Sequence, residues 1–113
     1  MSRSFFAITP HNISPEDWQR ALFLLYQEKV RKLSEKNYKE NYLEKKELRG
    51  KGYSLDHKIS IKECFEKKIP IIIAADIANL EMIPEEHNRE KGSKSSIIFE
   101  ELIDAINDRE ELI

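Results

Sequence analysis

Two short clusters in this 113-residue chain carry side chains able to do chemistry together: Asp56-His57, and His87-Asn88 followed by Lys91, with Asn79 lying between them. A carboxylate, an imidazole and a second metal ligand are the groups that metal-assisted hydrolysis of a phosphodiester needs. A carboxylate and an amide offer hard oxygen donors to an ion such as Mg²⁺, which keeps several waters and leaves positions for substrate oxygens. A neutral imidazole can take a proton from water near physiological pH, provided that a hydrogen bond fixes its ring. Cys64 is the only cysteine, so neither an intramolecular disulfide nor a cysteine-based zinc site can be assembled, and any metal must be held by oxygen or imidazole. His11, beside Pro10, has no second ligand at helical or hairpin spacing and reads as a surface imidazole.

The elements that must position these residues can be read in order. Phe5, Phe6 and Ile8 precede a helix start in which Ser14 is the N-cap, Pro15 the first helical residue and Asp17 the third after the cap. Trp18, Ala21, Leu22, Leu25, Tyr26, Val30 and Leu33 form its apolar stripe, and the helix is expected to reach about Lys36. The Lys- and Glu-rich segment 37–51 continues helically or stays solvated until Gly50 and Gly52 break it. From Tyr53 to Ile61 the alternation is that of a half-buried strand, which puts Asp56 and His57 on opposite faces unless the strand bulges, bends or ends there. Ser60 and Glu63 predict a short helix over 61–68, stopped by Pro70. The apolar run 71–75 fits a strand or a helix equally, and Asn79 to Ile83 fits a second strand. Pro84 to Gly92 predicts a two-turn helix with Asn88 and Lys91 on one face, and Ser95 or Ser96 caps a last helix with Ile98, Leu102 and Ile106 inward.

A strand with Asp-His, a strand with Asn-Leu, then a helix with Asn-x-x-Lys-Gly resembles the HNH, or ββα-metal, nucleases, and in particular the small free-standing HNH endonucleases of phages. The resemblance covers about 52–94. It implies an α+β fold with a ββα-metal core, a long N-terminal helix and a C-terminal helix. Residue by residue, it implies that His57 is the general base, that Asn79 orients it, and that Asp56 and Asn88 hold one Mg²⁺, for which Mn²⁺ can substitute. It places Lys91 near phosphate, with Arg89, Lys58 and Lys94 as further DNA contacts. His87 is the alternative metal ligand, but adjacent helical side chains diverge by about 100°, so only one of His87 and Asn88 can face Asp56. Asn88 shares its face with Lys91 and suits Mg²⁺ better than an imidazole does. Pro84 and His87 stand where many members carry a second cysteine pair, so no structural zinc is expected. The implied reaction is hydrolysis of DNA, double-stranded by expectation, to 5′-phosphate and 3′-hydroxyl ends.

Size and composition fit a single domain over 1–113, with a helical region at 14–50, the core at 52–94 and an acidic helix at 95–113. Charge is uneven: residues 29–68 hold 13 Lys/Arg against 7 Asp/Glu, whereas 97–113 hold 6 acids against Arg109. With a net charge of −2, this favours a phosphate footprint on part of the surface over a wholesale basic binder. No apolar run approaches the ~18 residues of a membrane span, and the N-terminal residues lack a signal-peptide core, so the cytoplasm is the expected compartment, the host's if the chain is phage-encoded. The rival readings are a non-catalytic HNH-fold module that binds nucleic acid or protein, and a small subunit whose first helix docks on a larger nuclease.

Overall fold

The computed structural model describes residues 12–111; His11 and the expected apolar entry at Phe5, Phe6 and Ile8 lie outside them. The long helix α1 spans Pro15–Glu40 and begins as its sequence dictates, with Asp17 N donating to Ser14 Oγ at 3.1 Å and acids in the first turn. It runs a full turn beyond Lys36 because residues 37–40 remain in register, ending where Asn41 N returns to Asn37 O. A 3₁₀ turn, Lys46–Leu48, leads to Gly50 and Gly52, both at positive φ (81° and 85°), where a side chain would be strained.

Strand β1, Tyr53–His57, pairs antiparallel with β2, Leu80–Pro84, in a two-stranded ribbon whose register sets Asp56 opposite Glu81 and His57 opposite Leu80. Helix α2, Ile61–Glu66, is capped by Ser60 Oγ, which accepts from Glu63 N at 3.1 Å. It ends at Glu66 with Lys67 as C-cap, the chain turns away through Lys68 at a left-handed φ of 58°, and Pro70 proves to be the N-cap of the next element rather than the stop. The ambiguous run forms a one-turn helix, α3, Ile71–Ala74, and a 3₁₀ turn, Ile77–Asn79, leads into β2. Helix α4, Glu85–Lys91, follows β2 without a break and ends at Gly92, also at positive φ. Helix α5 is Phe99–Glu111. The architecture is α+β. No helix among the described residues is long and apolar enough to cross a membrane.

Val30, Ile59, Cys64, Ile69, Ala74, Ala75 and Leu102 form the core, which therefore joins α1, α2, α3 and α5 beside the ribbon. Tyr26 Oη donates to Ile69 O at 2.7 Å and Asn37 Nδ2 to Ala75 O at 2.9 Å, seating α1 on the α2–α3 segment. Phe23 and Tyr26 pack on Phe65, each with ring centroids 5.4 Å apart. The buried face of α1 keeps Trp18, Ala21, Leu22, Tyr26, Val30 and Leu33 of the expected stripe and adds Ser34, while Leu25 is left 55% exposed. The last helix faces the core with Leu102 and Ile106 as expected, together with Phe99, while Ile98 precedes the helix and is 58% exposed. Neither Ser95 nor Ser96 caps it, because Ser95 Oγ accepts from Ser60 N at 3.0 Å and Ser96 N donates to Lys58 O at 2.7 Å, tying this segment to the end of the ribbon.

At its far end α5 is held by a forked pair from Arg109 to Asp76, 2.7 and 2.9 Å. Burial alone would raise the Asp76 carboxyl, but the Arg109 guanidinium and the Ala78 N–H outweigh it and hold the group below its ordinary value. Leu102 is fully buried where α5 meets the core. Leu102→Ala is expected to cost about 3 kcal/mol in urea unfolding, since the cavity adds to the lost burial.

Candidate active site

The site is assembled around the point where β1 ends. Beyond His57 the ladder continues for one bond, Lys58 N to Asn79 O at 2.7 Å, and then a side chain replaces it. Asn79 Oδ1 accepts from Ile59 N at 2.8 Å, while Nδ2 donates to Ile59 O at 3.2 Å and Ala74 O at 2.8 Å. With its side chain wholly buried, Asn79 holds both backbone groups of Ile59 and terminates the strand at His57. The strand ending is the condition under which Asp56 and His57 can share a site, and both side chains line one cleft of about 490 Å³.

The two walls differ. On one face of β1, α4 crosses with matched spacing: Asn88 Nδ2 donates to Ser54 Oγ at 3.0 Å, and Lys91 Nζ donates to Asp56 Oδ2 at 2.6 Å and His57 O at 2.7 Å. Residues three apart on the helix thus meet residues two apart on the strand. From the other side comes α1, where buried Ser34 shares a hydrogen bond of 2.8 Å between its Oγ and His57 Nε2. The ring partner expected at Asn79 is therefore Ser34. Asn79 acts on the backbone two residues beyond His57, because its amide is already filled by three main-chain groups. With Nε2 engaged, Nδ1 is the nitrogen left open to a water molecule. Burial pushes the imidazole down to about 4, against a smaller opposing pull from Asp56, so the ring is neutral at physiological pH.

Asn88 is half-buried and lines the cleft, while His87 is exposed on the outside of α4. With Nδ2 committed to Ser54, the amide oxygen of Asn88 is the atom left for a cation. Among the described residues no three His, Cys, Asp or Glu side chains converge as a metal cage. The oxygen donors available are the Asp56 carboxylate and the Asn88 amide, a set that suits a hard, partly hydrated ion. Glu81 stands across from Asp56, and burial, then the Asp56 charge, raise its carboxyl above the ordinary value. Lys91 neutralises this carboxylate pair, so it is an internal counter-ion and not the free phosphate contact expected from its position.

The other expected phosphate contacts also lie elsewhere: Arg89 and Lys94 are exposed and Lys58 half-buried, and none lines the cleft. The cations that do are Arg31, Arg49 and Lys62. Arg49 makes a forked pair with Glu35, 2.9 and 2.6 Å, and lies over the Tyr38 ring. Ser34, Arg31 and Lys62 went unread because nothing local in 15–40 signals that this helix reaches a histidine on a distant strand.

No family model matches the chain, and no curated protein or solved structure does either. The chemistry of the cleft must stand on its geometry.

Two stability measurements check this geometry. Asn79→Ala leaves Ile59 N and Ala74 O without partners and Ile59 O with only the Cys64 thiol, and is expected to lower unfolding free energy by about 3 kcal/mol, as each orphaned group costs ~1–3 kcal/mol. In EDTA, stability is expected to fall as pH drops from 6.5 towards 4, because the unfolded chain takes up a proton at His57 that the native chain refuses until about 4. The stability due to a neutral His57 is complete above 6.5. In a comparison of urea unfolding across that window, His57→Gln should lack this component.

Proposed function

We propose that the chain is a divalent-metal-dependent DNA endonuclease of the HNH, or ββα-metal, type. The observation that carries the reading is the convergence of Asp56, His57 and Asn88 on one cleft at the end of an antiparallel ribbon followed directly by a helix. Asp56 and Asn88 would hold Mg²⁺, with Mn²⁺ as a substitute. The bound ion supplies charge stabilisation for the phosphate and its departing 3′-oxygen. His57 takes the proton of the attacking water at Nδ1, with Ser34 holding the ring and Asn79 fixing the backbone that carries it. An imidazole near 4 is a feeble base; the phosphodiester's charge would raise its basicity and the ion's would lower it, so His57 acts through its position beside the water. The water's oxygen bonds to phosphorus as the P–O3′ bond breaks, and the 3′-oxygen takes a proton from solvent, giving 5′-phosphate and 3′-hydroxyl ends.

The assay is digestion of supercoiled plasmid with Mg²⁺ or Mn²⁺ and with EDTA. Nicking or linearisation is expected only with the ion, and His57→Ala should slow it by about 100-fold or more, the size of a general-base contribution. Asn88→Ala should abolish Mg²⁺-supported cleavage, whereas His87→Ala retains it. A wild-type protein inert under all these conditions overturns the enzymatic reading.

The ion pair of Lys91 with Asp56 favours a second reading, a nucleic-acid or protein binding module without catalysis, because a neutralised carboxylate needs no metal. Calorimetric titration separates the two. For the nuclease, Mg²⁺ binds to the wild type and Asp56→Ala removes that binding. Lys91→Met tightens it, because the ammonium paired with Asp56 repels a divalent ion held on the same carboxylate. Divalent binding unaltered by Asp56→Ala favours the module.

A further inference from the structure

Helix α1 turns one face into the cleft. Gln27, Arg31 and Ser34 follow one another at steps of four and three residues, so their side chains stand in a row along the axis. Ser34, the innermost, touches the His57 ring. Arg31 stands about a turn away from it, and Lys62, at the start of α2, completes the rim.

The cations of this region differ in what they already do. Arg49 is committed to Glu35, and Lys91 to Asp56. Arg31 and Lys62 are exposed and form no ion pair among the described residues, although they border the cleft that holds His57. An unpaired guanidinium and ammonium at the mouth of one cleft, in the segment of the chain richest in positive charge, provide a seat for a polyanion.

We infer that α1 is the second wall of a DNA groove, in which Arg31 and Lys62 bind phosphates flanking the one presented to His57. This rests on the nuclease reading and assigns its substrate contacts away from Lys58, Arg89, Lys91 and Lys94. The groove then runs between α1 and the ribbon, and DNA meets two elements that are far apart in the chain. Phosphate contacts of this kind fix the register of the duplex and carry no sequence information themselves.

The test is fluorescence anisotropy of a short labelled DNA duplex with the full chain, in EDTA to prevent cleavage, across a series of salt concentrations. Each phosphate contact contributes about 0.9 to the slope of log affinity against log salt. Arg31→Gln and Lys62→Gln should each reduce the slope by about that amount, and the double variant by about twice as much, with unchanged melting temperatures because both side chains are exposed. Lys32→Gln, which alters an exposed cation already paired with Glu28 and outside the cleft, should leave the slope unchanged. If the wild type cuts DNA with Mg²⁺ while Arg31→Gln and Lys62→Gln keep the wild-type slope, the groove is wrong and the nuclease reading stands. A wild type that neither binds the duplex at low salt nor cuts it overturns both.

Discussion

The buried amide of Asn79 is the constraint on which the rest of the structure depends. An amide wholly removed from water is tolerated only when its donors and acceptor are filled, and Asn79 fills them from Ile59 and Ala74. In doing so it joins the chain leaving β1, the end of α3 and the start of β2. Its own carbonyl takes the last ladder bond from Lys58. The strand must then end at His57, which lets neighbouring residues of opposite strand faces reach one cleft. The geometry of the cleft is thereby set through the backbone, and the imidazole ring is left for a different partner.

That partner comes from α1. The helix is seated by Val30 and by Tyr26 and Asn37, whose polar ends reach main-chain oxygens of the α2–α3 segment. Once seated, it delivers Ser34 to His57 and Glu35 to Arg49 without further adjustment. The last helix closes the opposite side of the core through Leu102 and the Arg109–Asp76 fork. Between these supports, Lys91 balances Asp56 beside Glu81, so the metal-binding capacity proposed for the cleft is set against a built-in counter-ion. The same charge that stabilises the metal-free fold would oppose a cation bound there.

The parts of this arrangement that sequence could reveal are those governed by local chemistry. The caps at Ser14 and Ser60, the glycine turns at Gly50 and Gly52 and the stop at Gly92 follow from backbone needs within a few residues. Helical geometry lets only one of His87 and Asn88 face Asp56, and the face that Asn88 shares with Lys91 is the one the structure turns towards β1. What escaped depends on distant packing. That Leu25 stays out of the core, and that α5 starts only after Ile98, is decided by which residues the neighbouring segments cover. The run at 71–75 becomes a helical turn because Asn79 takes the Ala74 carbonyl, a contact that no period records. Nothing near Ser34 or Lys91 in the sequence announces the partner each takes, His57 for one and Asp56 for the other.

A crystal structure of the protein soaked in Mn²⁺, phased for the anomalous signal of the ion, tests the central claim most directly. The account predicts one strong peak in the cleft, in ligand contact with the Asp56 carboxylate and the Asn88 amide oxygen, with Lys91 displaced or confined to the other oxygen of Asp56. An Asp56 still locked to Lys91, with the ion absent from the cleft or bound at His87, would contradict it.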